Sequence, residues 1–347
     1  MVALLSRLSY SIATVSLCGI LILPEAAFGQ PSAISSPASF DLPTSLKFSL
    51  EALGASSGVP DGIGGSWYPG VSVRDQPAGF VMSNYQAGAT IPISKSDTEL
   101  VFANASICTV SSRTTAILPA SQTRFPSQLW DLQVGSGYVR NLGNGWNWGL
   151  WMNAGSASDK PFHTIAEATI SGLAFVRVPR TDETAWLFYV VSTTNGQVGR
   201  NIPIPGIAYE FQYYLLKGAL GFPFVTLNYR PQNWLELDFN YAALTDILAR
   251  VTLHPTERAR VFASFVWTNE SWLRADRQVK QDQLFRYEKR LEVGFGWSAA
   301  SKLDLRLLAG YAFNRYFVEN AGYSLTGVNR IDLASGPFLS AQLEWRY

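Results

Sequence analysis

Charge is scarce in this chain of 347 residues: Asp, Glu, Lys and Arg make up only 15% of it, against about 25% in an ordinary soluble domain. What charge there is nearly cancels, with 27 basic and 26 acidic residues giving a net +1. That balance offers nothing to a polyanion, so nucleic acid is excluded as a partner class. Cysteine is nearly absent. Of the two present, Cys18 falls in the N-terminal apolar stretch and Cys108 stands alone after it, so no disulfide framework can form within a processed chain. Histidine is limited to His163 and His254, and no metal-ligand spacing or phosphate-cradling glycine loop appears. No cofactor is expected. Beyond the N-terminus there is no apolar run of about 18 residues, which excludes a multi-helix membrane protein. Intrinsic disorder is excluded too, because 47% of the residues are hydrophobic.

What is abundant is aromatic: 11 Trp, 15 Tyr and 20 Phe. The first 29 residues read as a secretion signal, with Arg7 in the positive region, an apolar stretch over 11–23 and a small-x-small site at Ala27-Phe28-Gly29. Residues 30–43 are rich in Ser, Pro and Ala and read as a flexible linker, too short for a folded plug. Residues 44–347 are expected to form the one folded unit.

That unit alternates. Leu303, Leu305, Leu307, Ala309, Tyr311 and Phe313 point one way, and Lys302, Asp304, Arg306, Gly310 and Asn314 the other. The same period of two runs through 290–298 and 339–347 and means β-strands. A soluble sandwich buries the apolar face, whereas a transmembrane barrel turns it to lipid and its polar face inward. The stretches run about 9–14 residues, long enough to cross a bilayer. Aromatics such as Trp130, Tyr138, Trp267 and Trp297 fall near their ends, as interfacial girdles require. The expected fold class is all-β: a transmembrane antiparallel up-and-down barrel.

The terminal strand Leu343-Glu344-Trp345-Arg346-Tyr347 resembles the assembly signal of Gram-negative outer-membrane proteins, with Trp345 and Tyr347 carrying the likeness. The chain also resembles a family of uncharacterised bacterial outer-membrane barrels. The residues concerned are Ala89–Ile93, Trp130–Tyr138, Ile202–Ile207 and Tyr229–Trp234. This resemblance implies an outer-membrane location and brings no catalytic residues. The expected partners are outer-membrane lipid, lipopolysaccharide and the barrel-assembly machinery.

Six tight polar turns stand out at 94–97, 141–145, 179–183, 230–233, 254–257 and 298–301. Longer connections lie near 54–77, 110–127, 155–165, 195–219, 271–285 and 316–334, with a short one at 242–245. This parity gives fourteen strands, the first at 44–54, with twelve as the second choice and sixteen as the third. Residues 98–109 and 184–194 alternate poorly. Residues 200–219, broken by Pro203 and Pro205, read either as a loop folding into the mouth or as an extra hairpin.

The polar face carries the candidate lumen lining. Its first half comprises Glu236, Asp238, Arg250, Arg258, Arg260 and Arg290. The second comprises Glu292, Lys302, Asp304, Arg306, Glu344 and Arg346. Opposite signs on neighbouring strands either merely satisfy one another or line a passage for small solutes.

No enzyme is expected. His163 with Ser156, Ser158 or Asp159 lacks any feature that locks a catalytic group together. His254 reads as solvent-facing in its turn, and Cys108 as a small apolar filler. Three functions compete. The leading one is a passive or selective channel for a small solute of unknown identity. The second is uptake of hydrophobic compounds, suggested by 211–216 and 220–224. The third is a closed structural or surface barrel whose loop 271–283 meets lipopolysaccharide through Arg274, Asp276, Arg277, Lys280 and Asp282.

Overall fold

A computed structural model describes residues 61–196, 200–242, 246–322 and 327–345. The proposed signal, the linker, the expected strand at 44–54, Arg346 and Tyr347 lie outside these residues. Among them, no helix is long and apolar enough to cross a membrane.

Sixteen strands close into one antiparallel ring. They are β1 Gly62–Ser72, β2 Gly79–Lys95, β3 Glu99–Thr114, β4 Gln128–Asn141, β5 Asn147–Ser158, β6 Ala168–Pro179, β7 Thr184–Thr193 and β8 Ile204–Gln212. There follow β9 Leu216–Phe222, β10 Phe224–Gln232, β11 Leu235–Ala242, β12 Asp246–Leu253, β13 Ala259–Trp272, β14 Gln283–Ala300, β15 Leu303–Asn320 and β16 Gly336–Trp345. Closure is made by β1, which pairs with β2 through Gly62↔Gly88 and with β16 through Gly62↔Glu344.

The ring corrects the expected count of fourteen. Residues 200–219 supply two extra strands: β8 pairs with β7 and β9, and the turn 213–215 joins the other short turns. The first ring strand is Gly62–Ser72, a stretch read from sequence as part of the connection near 54–77. Its glycines serve close packing, since a Cβ on Gly62 would run into the Leu343 backbone and one on Gly64 into the Gln342 side chain.

The outward face is apolar. Ile63, Ile91, Val134, Met152, Ile170, Val293 and Leu339 are each more than half exposed. Tyr138, Trp146, Trp148, Tyr213, Tyr214, Tyr229, Trp234 and Trp297 lie near the short-turn end. A closed antiparallel barrel leaves no unpaired edge, and its apolar belt is suited to hydrocarbon. The described residues have the architecture of a membrane-spanning β-barrel.

The wall is uneven. β14 and β15 have 18 residues each, whereas β9 has 7 and β11 and β12 have 8. Asn314, at φ 49°, makes a bulge where the β14–β15 register shifts between Tyr287 and Lys289. The extra residue reverses the facing of β15 beyond it, so Arg315, Phe317 and Glu319 turn inward.

The inner face differs from the uniformly polar one expected. Inward side chains of β3–β10 include Phe102, Leu173, Phe175, Leu187, Tyr189 and Phe224, which pack into a buried apolar cluster. Several rings lie across inward glycines of the next strand. A Cβ on Gly137 would occupy the Phe102 ring, and one on Gly206 the Tyr189 ring.

Candidate solute chamber and its lid

The long strands β13, β14 and β15 rise above β8–β12 and turn across the mouth. The outer end of β13 touches β4 and β5, which are not its neighbours in the ring. The Leu273 N–H donates to the Ala157 carbonyl at 2.7 Å, and the Ala275 N–H to Asp159 Oδ1 at 2.7 Å. The start of β14, residues 283–288, is therefore buried at six consecutive positions rather than alternating.

Loop 273–282 organises this closure. Arg274, only 1% exposed, donates to Glu319 at 3.1 Å, to Asp276 at 2.8 Å and to Thr123 at 2.9 Å. Arg277 reaches Glu167 at 3.3 Å and the Ala166 carbonyl at 2.9 Å. Arg200 donates to the Gln281 carbonyl, and Asn195 to the Ser271 carbonyl. Four other outer segments are thus tied to one loop. This overturns the expectation that Arg274 and Arg277 face the cell surface; of that loop's charges, Asp276 and Lys280 are exposed.

Beneath the loop the mouth is filled. Tyr68, Phe80, Leu118, Phe125, Trp272 and Phe317 belong to one buried apolar cluster. Phe125 reaches it from the small hairpin Ile117–Leu118/Thr123–Arg124, with ring centroids 4.7 Å from Phe317 and 5.2 Å from Phe80. On its inner side sits Glu288, 1% exposed, which accepts from Arg315 at 2.8 Å, Arg286 at 3.1 Å and the Tyr68 hydroxyl at 2.8 Å, with Arg290 at 3.5 Å. Three guanidiniums around one carboxylate would be unstable alone. Glu270 at 3.1 Å from Arg286 and Glu292 at 2.8 Å from Arg290 restore the balance.

Inside lies a chamber of about 430 Å³, lined from thirteen of the sixteen strands. That volume is within the range of small-molecule sites, about 300–1,000 Å³. Its wall carries eight carboxamide side chains, among them Asn84, Gln86, Gln133 and Asn153 on β2, β4 and β5. Arg250, Arg290 and Arg306 face them from β12, β14 and β15, with Asp131, Asp246, Glu270 and Glu292 also on the wall.

The residues singled out from sequence divide as follows. Arg250, Arg290, Glu292 and Arg306 reach the chamber. Nearer the short-turn end, Arg260 pairs with Asp304 at 3.3 Å and Arg306 with Glu344 at 3.1 Å. The Asn228 amide donates to Glu236 at 2.6 Å and to Asp238 at 2.7 Å. Arg258 and Lys302 are not inward: both sit exposed beside short turns. His254 is not simply solvent-facing, since its Nε2 lies 3.0 Å from Glu236 Oε2. Trp345 ends β16 opposite Leu303. Cys108 lines the chamber. Ser156 donates to the Glu167 carbonyl at 2.8 Å and Ser158 to Asp159 at 3.2 Å, so neither hydroxyl is directed at His163.

Sequence reasoning missed the lid's Glu167 and Glu319, the Glu288 hub and Asp131. The parity flip at Asn314 hid Arg315, and the chamber's carboxamides look like ordinary alternating polar residues.

No protein-family description and no curated protein sequence matches the chain. Among solved structures, it aligns with the β domain of the Bordetella autotransporter BrkA at 9% identity, over 83% of this chain and 100% of that one, TM-score 0.32. It aligns with an outer-membrane channel from Pseudomonas putida F1 at 9% identity, over 82% and 94%, TM-score 0.32. A toluene transporter from Pseudomonas putida, TodX, aligns at 11% identity, over 84% and 92%, TM-score 0.29. At such scores the likeness carries no argument, and the barrel rests on its own strand pairings.

Proposed function

We propose that this barrel is a gated outer-membrane channel for small polar solutes, with the loop 273–282 and its flanking strands as the gate. The observation behind this reading is the polar chamber of about 430 Å³ beneath a hydrogen-bonded lid. A barrel with a purely structural role has no use for an interior space walled by amides and ions, because burying polar groups costs free energy unless something pairs them. The lining mixes its amides and ions with Ile247, Leu248, Val266, Leu308, Trp272 and Phe338. The lid's guanidiniums are used internally, which leaves the lipopolysaccharide reading of this loop without its two arginines.

Reconstituted into proteoliposomes, the barrel should admit small polar solutes faster when the lid is loosened by Arg274→Ala. Equal permeability of the two proteins, both shown to be folded, would refute the gate. No permeability in either would refute the channel.

A further inference from the structure

Two ionic groups in the chamber, Asp131 and Arg250, make no close ion pair among the described residues. Asp131 on β4 accepts only from the Gln133 amide, at 3.0 and 3.3 Å, and no basic group pairs with it among the described residues. Arg250 on β12 lies 4.8 Å from the Phe262 ring centroid and makes no ion pair within 4 Å among the described residues, although Asp238 stands opposite it in the β11–β12 ladder. The other guanidiniums on this wall are engaged, Arg290 by Glu292 and Glu288 and Arg306 by Glu344. Of the remaining acids, Glu270 is held by Arg286 and Glu292 by Arg290. Asp246 also has an interaction of its own.

The two groups have opposite sign and lie on opposite walls. β4 and β12 are eight strands apart in either direction around the ring. A buried or half-buried charge without a partner is unfavourable unless a ligand supplies the opposite charge. One ligand class supplies both at once.

We propose that the chamber takes a small zwitterion of the α-amino-acid or short-peptide type. Its ammonium faces Asp131 and its carboxylate faces Arg250. A guanidinium presents a planar fork that matches a carboxylate. The carboxamides along the wall pair with both the N–H and C=O of peptide groups, since each offers donor and acceptor. The inference rests on the reading that the chamber receives polar solutes, and it narrows that reading to one class.

The test is calorimetric titration of the purified full-length barrel in detergent. The ligands are glycine and its oligomers up to tetraglycine, each added residue extending the charge separation by about 3.5 Å. The best of them is then compared with its N-acetylated and C-amidated forms and with sucrose as an uncharged polyol. Wild type and Arg274→Ala are both titrated, so that a closed lid does not mask binding.

The expected result is preference for one length, with at least tenfold weakening on blocking either terminus. Asp131→Asn should abolish the penalty for acetylation and keep that for amidation. Arg250→Gln should do the reverse. Asp131→Asn removes charge with little change in shape, Arg250→Gln removes charge and shortens the side chain, and folding is checked by the shifted gel mobility of unheated barrel. Equal binding of free and blocked forms, or binding of sucrose alone, overturns the zwitterion and leaves the polar channel standing. Absence of binding by every solute overturns both.

Discussion

The Leu273 amide donates to the Ala157 carbonyl at 2.7 Å, a backbone hydrogen bond between β5 and the end of β13, two strands on different sides of the ring. Around it the outer half of the barrel is drawn together and filled. Below it the barrel keeps a chamber. A uniform cylinder would have neither feature. They go with unequal strand lengths, since β14 and β15 have 18 residues each and β8–β12 only 7 to 9.

Arg274 is the tightest point of the lid. Its guanidinium and Glu319 are 1% and 3% exposed, so removing one leaves the other buried without its partner. Breaking such a pair costs about 3–5 kcal/mol. Arg274→Ala should therefore make loop 273–282 cleavable by protease at concentrations that spare wild type. The double variant with Glu319→Gln should recover part of the loss. Unchanged protection in the single variant would contradict the role given to this pair.

Acid should loosen the same lid. Burial alone would raise the Glu167 carboxyl, but the Thr164 hydroxyl and N–H, followed by the Arg277 guanidinium, hold it below the ordinary carboxylate range. A carboxyl whose folded pKa is depressed stabilises fully above its unfolded pKa of about 4.3, and this is lost as pH falls through the folded value. Protease protection of 159–167 should be flat from pH 8 to 5 and decline below about pH 4. Glu167→Gln should lower the protection near neutrality and flatten the decline. An unaltered profile in that variant would assign the pH dependence elsewhere.

Glu288 balances three arginines in the layer between plug and chamber. Glu288→Gln keeps the shape and removes the charge, leaving the guanidiniums facing one another. The expected loss is of the order of 3–5 kcal/mol, the scale for breaking a buried ion pair. Urea unfolding monitored by tryptophan fluorescence should show it as an earlier midpoint. A midpoint within error of wild type would mean that the hub adds nothing to stability.

The glycines beneath the inner aromatic rings give a contrast without charge. Gly206→Val would displace the Tyr189 ring, whereas Gly143 has nothing within 4 Å of its Cβ position. Overpacking costs about 1–3 kcal/mol. Gly206→Val should melt lower and Gly143→Val close to wild type. Equal melting of the two would remove the close ring-on-glycine packing from the account.

Class, membrane and most strand positions were legible from alternation, because period two along residues such as Leu303–Phe313 survives any detail of closure. Even the poorly alternating 98–109 and 184–194 became β3 and β7. The count failed where local chemistry resembled a loop, at Pro203 and Pro205 before β8 and within it, and the first strand was placed outside 62–72. The inner face was legible only in part. Its charged residues on β11–β16 were found, but a buried inner core on β3–β10 has the same alternating pattern as a strand lined by solvent. The lid left little trace in sequence. Arg274 and Arg277 look like any polar loop residues until Glu319 and Glu167 meet them, and the Asn314 bulge that turns Glu319 inward shifts every later residue by one face.

The central claim is that release of the β13–β14 turn from β5 opens the chamber. It is tested most directly by a reversible tether. The Leu273 N–H to Ala157 carbonyl bond of 2.7 Å brings the two backbones close enough to engineer a disulfide between them. Ala157→Cys with Leu273→Cys, in a Cys108→Ser background, places the bridge across the mouth. Conductance in planar bilayers should be abolished when the pair is oxidised and should return on reduction. Conductance that is identical in the oxidised and reduced protein would contradict the gate.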